Sequence, residues 1–121
     1  MGKLVLVVDD STAVRQSVSY ILEGADYEVV QATDGTDALK QLESITPDLV
    51  VTDVNMPNMD GIELTAKIRA TDKHKFVPIV VLTTESQKSK MDEGKQAGAT
   101  GWIVKPFNAE KLLQVVRRLI G

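Results

Sequence analysis

Five positions in this chain could cooperate in phosphoryl chemistry: Asp9 and Asp10 in LVLVVDDS, Asp53 in DLVVTDVNMPNMDG, Thr83 in IVVLTTE, and Lys105 in GWIVKPF. Each follows or closes a short apolar run. Buried strands do not normally end on a carboxylate, because a desolvated charge is costly unless it is paired. Clustered carboxylates would also repel one another in a partly desolvated site. A hard divalent cation removes that repulsion. Magnesium prefers oxygen ligands and keeps several waters, so two carboxylates plus a backbone carbonyl would suffice as the protein's share. A bound cation lets a phosphate approach, Lys105 adds positive charge, and the Thr83 hydroxyl can hydrogen-bond a phosphoryl oxygen. The set reads as a phosphoryl-transfer site with an aspartate as nucleophile and an acyl phosphate as product.

Taken singly, each residue has an ordinary explanation. An aspartate after a strand often caps the next helix, and this is the simpler reading of Asp9 or Asp10 alone. Thr83 alone is a strand-end threonine, and Lys105 alone a solvated lysine. The conjunction outweighs these readings, because four separate strand ends would have to assemble these types by chance.

The elements that must position them follow from hydrophobic patterning. Short runs rich in Val and Ile predict strands over Leu4–Val8, Glu28–Ala32, Leu49–Asp53, Ile79–Thr83 and Trp102–Val104. Such uninterrupted runs are expected of strands covered on both faces. Amphipathic stretches lie between them. Val14, Val18, Ile21 and Leu22 share a helical face, as do Ala38, Leu39 and Leu42, and later Leu112, Leu113, Val116, Leu119 and Ile120. Residues 61 to 70 carry a thinner stripe at Leu64 and Ile68. Asp34-Gly35 opens the second helix, Pro47 closes its exit loop, Asp60 caps the third helix, and Pro78 precedes the fourth strand. Residues 86 to 98 form a fourth helix with a single large apolar residue, Met91, and so a weakly docked one. His74 sits in a polar run and reads as a surface histidine.

Strands alternating with helices imply an α/β fold, a doubly wound five-stranded parallel sheet with helices on both faces. The flavodoxin-like order 2-1-3-4-5 is the natural choice at 121 residues. In that order the ends of strands 1, 3, 4 and 5 share one rim, where ligands of such sheets bind.

Bulk properties narrow the function. The length suits one domain over 1–121. A net charge of −3 argues against the chain as a whole binding nucleic acid. With no cysteine there is no disulfide, thiolate metal site or cysteine nucleophile. No signal peptide or membrane span is evident, and the lack of cysteine fits a cytoplasmic protein; a monomer with no membrane partner is expected.

At this point the residues resemble a known family. VVDDS at 7–11, ATDGTDAL at 32–39, DLVVTDVNMPNMDGIEL at 48–64, PIVVLTTE at 78–85 and AGATGWIVKPF at 97–107 are similar to the receiver (response regulatory) domain of two-component response regulators. TTES followed by AGATGWIVKPF looks most like the stand-alone, CheY-type chemotaxis regulators, with their (βα)5 fold. The resemblance implies that Asp53 accepts a phosphoryl group from the phosphohistidine of a sensor histidine kinase. It makes Asp10 a direct Mg2+ ligand, Asp9 a helper through bound water, and the Asn55 carbonyl the third protein ligand, with Asp53 completing the metal set. Thr83 becomes the switch hydroxyl, Lys105 the phosphate-contacting cation, and the Lys105-Pro106 bond cis. Trp102 takes the place of a switch aromatic that is more often Tyr or Phe. An indole is larger and needs a partner for its N–H when buried, which argues against complete inward rotation. The output face is helix 4, strand 5 and helix 5, with a flagellar motor switch protein or another output protein as partner. Asn55, Thr84 and Glu85 are expected to tune dephosphorylation, alone or with a phosphatase, and Thr84 to slow it.

Such a protein is a signalling phosphoacceptor that catalyses its own phosphotransfer and dephosphorylation, not an enzyme in the ordinary sense. Other roles within the family are a phosphate sink or a receiver serving a pathway unrelated to motility. A haloacid-dehalogenase-type phosphatase would need a second aspartate where this chain has Asn55. A flavodoxin would need a phosphate-holding first loop where this chain has DDST, and no P-loop or GxGxxG occurs. A catalytically dead receiver-like module finds no support, since every site residue is present.

Overall fold

The three most apolar runs become the three central strands. In this computed structural model, which describes residues 2–84 and 88–121, the sheet runs β2-β1-β3-β4-β5, all parallel. β1 (Leu4–Val8), β3 (Leu49–Asp53) and β4 (Ile79–Thr84) are buried nearly throughout, whereas β2 (Glu28–Ala32) and β5 (Gly101–Lys105) are edges with exposed positions. Between them lie α1 (Thr12–Gly24), α2 (Gly35–Leu42), α3 (Gly61–Arg69), α4 (Lys88–Ala97) and α5 (Ala109–Ile120). The doubly wound α/β fold and the strand order are those expected.

Alternation along each strand splits the core in two, because successive side chains point to opposite faces. Val5, Val7, Leu49, Val51, Val80 and Leu82 pack against Val18 and Leu22 of α1 and Leu112 and Val116 of α5. Leu6, Val8, Val50, Ile79 and Val81 pack against Ala38 and Leu42 of α2 and Leu64 and Ile68 of α3. Among its described residues α4 places no large side chain in either cluster, and only Gly94 is buried.

The helix starts follow their polar signals. Ser11, Asp34, Asp60 and Asn108 each accept a hydrogen bond from the backbone N–H three residues on, capping α1, α2, α3 and α5. Asp60 is therefore the cap it was expected to be. The cap of α1 is Ser11 rather than either aspartate, which leaves Asp9 and Asp10 for other work.

Three local readings change. β4 extends to Thr84, and β5 gains Gly101 and Lys105, because these residues pair in the ladder with Val80 and Thr84 whatever their side chains prefer. A 3-10 turn, Asp72–His74, follows α3. His74, expected at the surface, is 3% exposed, and its Nε2 lies 2.8 Å from the carbonyl of Leu42 at the end of α2. The turn folds the ring inward, so a polar neighbourhood in sequence misled about burial. Among the described residues no helix is long and apolar enough to cross a membrane.

Candidate functional site

Parallel strands deliver their carboxyl ends to one rim, and the register decides what meets there. β1 lies between β2 and β3, so Asp9 and Asp10, just past Val8, stand beside the end of β3. Asp53 is the register partner of Leu82, one residue before Thr83, and Thr84 is the partner of Lys105. The structure thus brings together Asp9, Asp10, Asp53 and Lys105, with Thr83 alongside.

The contacts are short. Lys105 Nζ lies 2.6 Å from Asp53 Oδ1 and 4.0 Å from Asp9 Oδ2. One carboxylate oxygen from each of Asp9, Asp10 and Asp53 falls within 4.8 Å of the others. Asp53 is 7% exposed and Asp9 2%, while Asp10 is open to solvent. Burial raises the Asp9 carboxyl above its ordinary value, and neighbouring Asp53 and Asp10 push the same way. The Ser11 backbone N–H, 2.8 Å from Asp9 Oδ1, and the Lys105 ammonium oppose that shift.

Asp9 Oδ2 is buried and accepts no hydrogen bond among the described residues. A carboxylate oxygen left so costs about 1–3 kcal/mol, and more when charged. Native folds keep such an oxygen where something else completes it. The donor set is all oxygen, with no thiolate or imidazole in the cluster, and so fits a hard cation of the magnesium kind better than zinc.

The loop after β3 is tightly built. Gly61 N–H donates to the Val54 carbonyl at 2.9 Å, and Thr52 Oγ1 donates to the Asp53 carbonyl at 3.0 Å. A Cβ on Gly61 would stand 2.1 Å from the Asp53 carbonyl oxygen, so only glycine lets α3 start this close behind Asp53. Asn58 takes a positive φ of 69° in the turn before Asp60. Asn55 sits two residues past Asp53 with its side chain exposed.

Thr83 is buried, its hydroxyl 3.4 Å from the Thr84 carbonyl. Thr84 is half-buried on the wall of an apolar cavity of about 480 Å³ beside Ala13, Lys105 and Phe107. The Lys105-Pro106 peptide is cis, as the resemblance implied. Trp102 points outward, 38% exposed, into a cavity of about 580 Å³ that it shares with Val104, Phe107 and Lys111. Glu85 lies outside the described residues.

Sequence reasoning missed one supporting residue. Arg15 on α1 donates from Nη1 to the Asp9 carbonyl at 2.7 Å and from Nε to Gln31 Oε1 at 3.2 Å, pinning the acidic loop from the side. Only its place one turn into α1 hints at that reach.

A buried aspartate paired with a lysine beside two further acids, at the carboxyl rim of a 2-1-3-4-5 sheet, is the arrangement of a signalling receiver. Residues 5–117 match the response regulator receiver domain family, and the chain belongs to it. Chemotaxis regulators of the CheY type are among its relatives. It is 41% identical over 120 residues to the chemotaxis protein CheY-3 of Vibrio cholerae, covering 95% of this chain and 92% of that protein. The crystal structure of Vibrio cholerae CheY4 superposes with a TM-score of 0.93 at 47% identity, over 98% of this chain and 99% of that one. The receiver domain of a Pseudomonas aeruginosa sensor histidine kinase superposes with a TM-score of 0.92 at 29% identity, over 100% and 99% of the two chains. That structure holds a magnesium ion coordinated in its active-site cleft. The family is one of signalling domains of two-component systems, not of classical enzymes.

Proposed function

We propose that the chain, as one receiver domain over 1–121, is a phosphorylation-activated response regulator whose phosphoacceptor is Asp53. The phosphodonor is the phosphohistidine of a sensor histidine kinase. An Asp53 carboxylate oxygen forms the new bond to phosphorus as the phosphorus–nitrogen bond breaks, and the departing imidazole nitrogen takes up a proton. The observation that carries this reading is the 2.6 Å contact of Lys105 Nζ with Asp53 Oδ1. It holds the carboxylate in place and sets a cation where phosphoryl oxygens would arrive.

Asp9, Asp10, Asp53 and the backbone carbonyl of Asn55 would hold Mg2+, as the magnesium-bearing relative suggests. When bound, the ion supplies positive charge to the phosphoryl oxygens and relieves repulsion among the acids. Asp9, the most buried acid of the cluster, would help through bound water at its Oδ2, which accepts no hydrogen bond among the described residues, and Arg15 keeps its backbone in place. Thr83 offers its hydroxyl to the phosphoryl group. Asn55, Thr84 and Glu85 control access of the hydrolysing water, and a phosphatase partner would act there.

The output face is α4, β5 and α5, with Trp102 as its aromatic. Its partner is the flagellar motor switch protein, in keeping with the chemotaxis relatives, and the site of action is the cytoplasm. A charge added at Asp53 biases this face between two states, and a partner selective for one state favours phosphorylation in return. Trp102 fluorescence tests the reading. It should change with Mg2+ plus beryllofluoride in the wild type and stay constant in Asp53→Asn. A silent wild type would count against the site or its link to Trp102.

A further inference from the structure

Among its described residues α4 buries only Gly94, yet one of its ends is fixed with care. Gly98 N–H donates to the Lys95 carbonyl at 3.1 Å and Ala99 N–H to the Gly94 carbonyl at 2.9 Å. Together with a φ of +109° at Gly98 these form a Schellman cap. Arg69, the last residue of α3, grips this cap. Its Nε donates to the Gly98 carbonyl at 3.0 Å, Nη1 to the Val77 carbonyl at 2.6 Å, and Nη2 to Thr100 Oγ1 at 3.4 Å. Thr100 in turn is stitched to the start of β4, through its backbone N–H to the Ile79 carbonyl at 2.8 Å and from Ile79 N–H to Oγ1 at 3.0 Å. The arginine stem lies so close over Gly98 that a Cβ there would stand 2.9 Å from Arg69 Cγ.

We propose that Arg69 is a positioning residue for the output face: its guanidinium fixes the C-terminal end of α4 to β4 and makes that end the pivot of the helix. The inference rests on the receiver reading above. A planar fork of donors holds three acceptors at fixed angles, which a lysine cannot do. Its charge also faces the carbonyl end of α4, where a cation is favoured. Among the described residues, no side chain holds the body of the helix through a comparable set of hydrogen bonds. Gly94 is its one buried position among the described residues, and an ideal Cβ there would find only ordinary contacts with Ile62, Ala99 and Val81. A rearrangement at Thr83 and Thr84 is therefore expressed at the N-terminal end, from Lys88, and the C-terminal end stays put.

Amide hydrogen exchange on the full chain decides this, in resting protein and with Mg2+ plus beryllofluoride. In the resting state Arg69→Met, which keeps an unbranched stem but no donors, should lose about tenfold protection at Gly98, Ala99 and the last turn of α4. Protection in α5 and β1 should not change. Arg69→Lys should fall between. With beryllofluoride the wild type should change exchange at Asp92 and Glu93, whose N–H groups close the first turn of α4, and leave Lys95–Ala99 unaltered, whereas in Arg69→Met both ends should respond. Unaltered protection in resting Arg69→Met, or equal response of both ends in the wild type, overturns the proposal. Should Arg69→Met not fold, Thr100→Val removes one contact of the clamp and must show the same loss at Gly98 and Ala99 in smaller measure; no loss overturns it. If beryllofluoride alters no amide of the wild type, the phosphoacceptor reading fails, and the resting comparison alone decides the role of Arg69.

Discussion

Two strand-to-helix junctions share the carboxyl rim of this sheet, and they are built on opposite plans. β3 leads through Asp53 to α3, and everything after it is pinned. Gly61 packs against the Asp53 carbonyl, Asp60 caps the helix, Thr65 Oγ1 donates to the Gly61 carbonyl at 2.7 Å, and Leu64 and Ile68 are fully buried. β4 leads through Thr83 and Thr84 to α4, which buries no large side chain among its described residues and is held at its far end by Arg69. On the proposed function, Asp53 must meet an incoming phosphorus atom within a fraction of an ångström, which needs the first plan. On the same proposal α4 must change position for a small free-energy input, which needs the second.

The contrast can be broken first at the two glycines and the two helix faces. Gly61→Ala should cost about 3 kcal/mol or more, because its methyl has nowhere to go but the Asp53 backbone. Gly94→Ala should instead stabilise by about 0.5–1 kcal/mol through helix propensity, its Cβ finding contacts no closer than 3.8 Å. Urea denaturation measures both, and equal signs would erase the distinction. Leu64→Ala should cost about 3 kcal/mol, whereas Met91→Ala, half-buried on α4, should cost under about 1 kcal/mol.

Asp9 sharpens the comparison on the electrostatic side. Its carboxyl is raised above the ordinary value of 3.8, so the fold binds its proton more tightly than the unfolded chain does. Stability attributable to this group is therefore present below 3.8 and lost as pH rises through the raised value. Asp9→Asn should stabilise the metal-free protein near neutrality by on the order of 1 kcal/mol, with the gain vanishing in acid, and should weaken Mg2+ binding. Melting with and without Mg2+ across pH reads all three effects; a destabilised Asp9→Asn at neutral pH would contradict the cluster's strain. The smallest effect belongs to Thr84. Thr84→Ala should speed loss of the phosphoryl group roughly threefold, under about 1 kcal/mol of barrier. An unchanged or slower rate would show that Thr84 does not hinder the water.

The pinned junction was also the more legible one. An unbroken apolar run announced β3, Asp53 marked its end, and Asp60 and Gly61 marked the start of α3, each by a local rule of burial, capping or backbone approach. β1 and β2 likewise fall on the expected residues. At the other junction the signals were weaker. β5 is set by pairing with β4 more than by its own side chains, so its ends at Gly101 and Lys105 carried no local mark. The Arg69 clamp and the Arg15 contact reach across 29 and 6 residues, distances over which a sequence shows no partner. His74 was misread for the same reason, its partner Leu42 lying 32 residues away. What stood out in the sequence was what each residue needs from its immediate neighbours; what did not was what it reaches in space.

The central claim, that Asp53 is the phosphoacceptor, is tested most directly by incubating the protein with a small phosphoramidate donor and Mg2+ and locating the label by mass spectrometry. The account predicts one alkali-labile, hydroxylamine-sensitive phosphoryl group, on the peptide that carries Asp53, dependent on Mg2+, sharply reduced in Lys105→Met and absent in Asp53→Asn. Label that persists undiminished in Asp53→Asn, or that maps to another residue of the wild type, would contradict it.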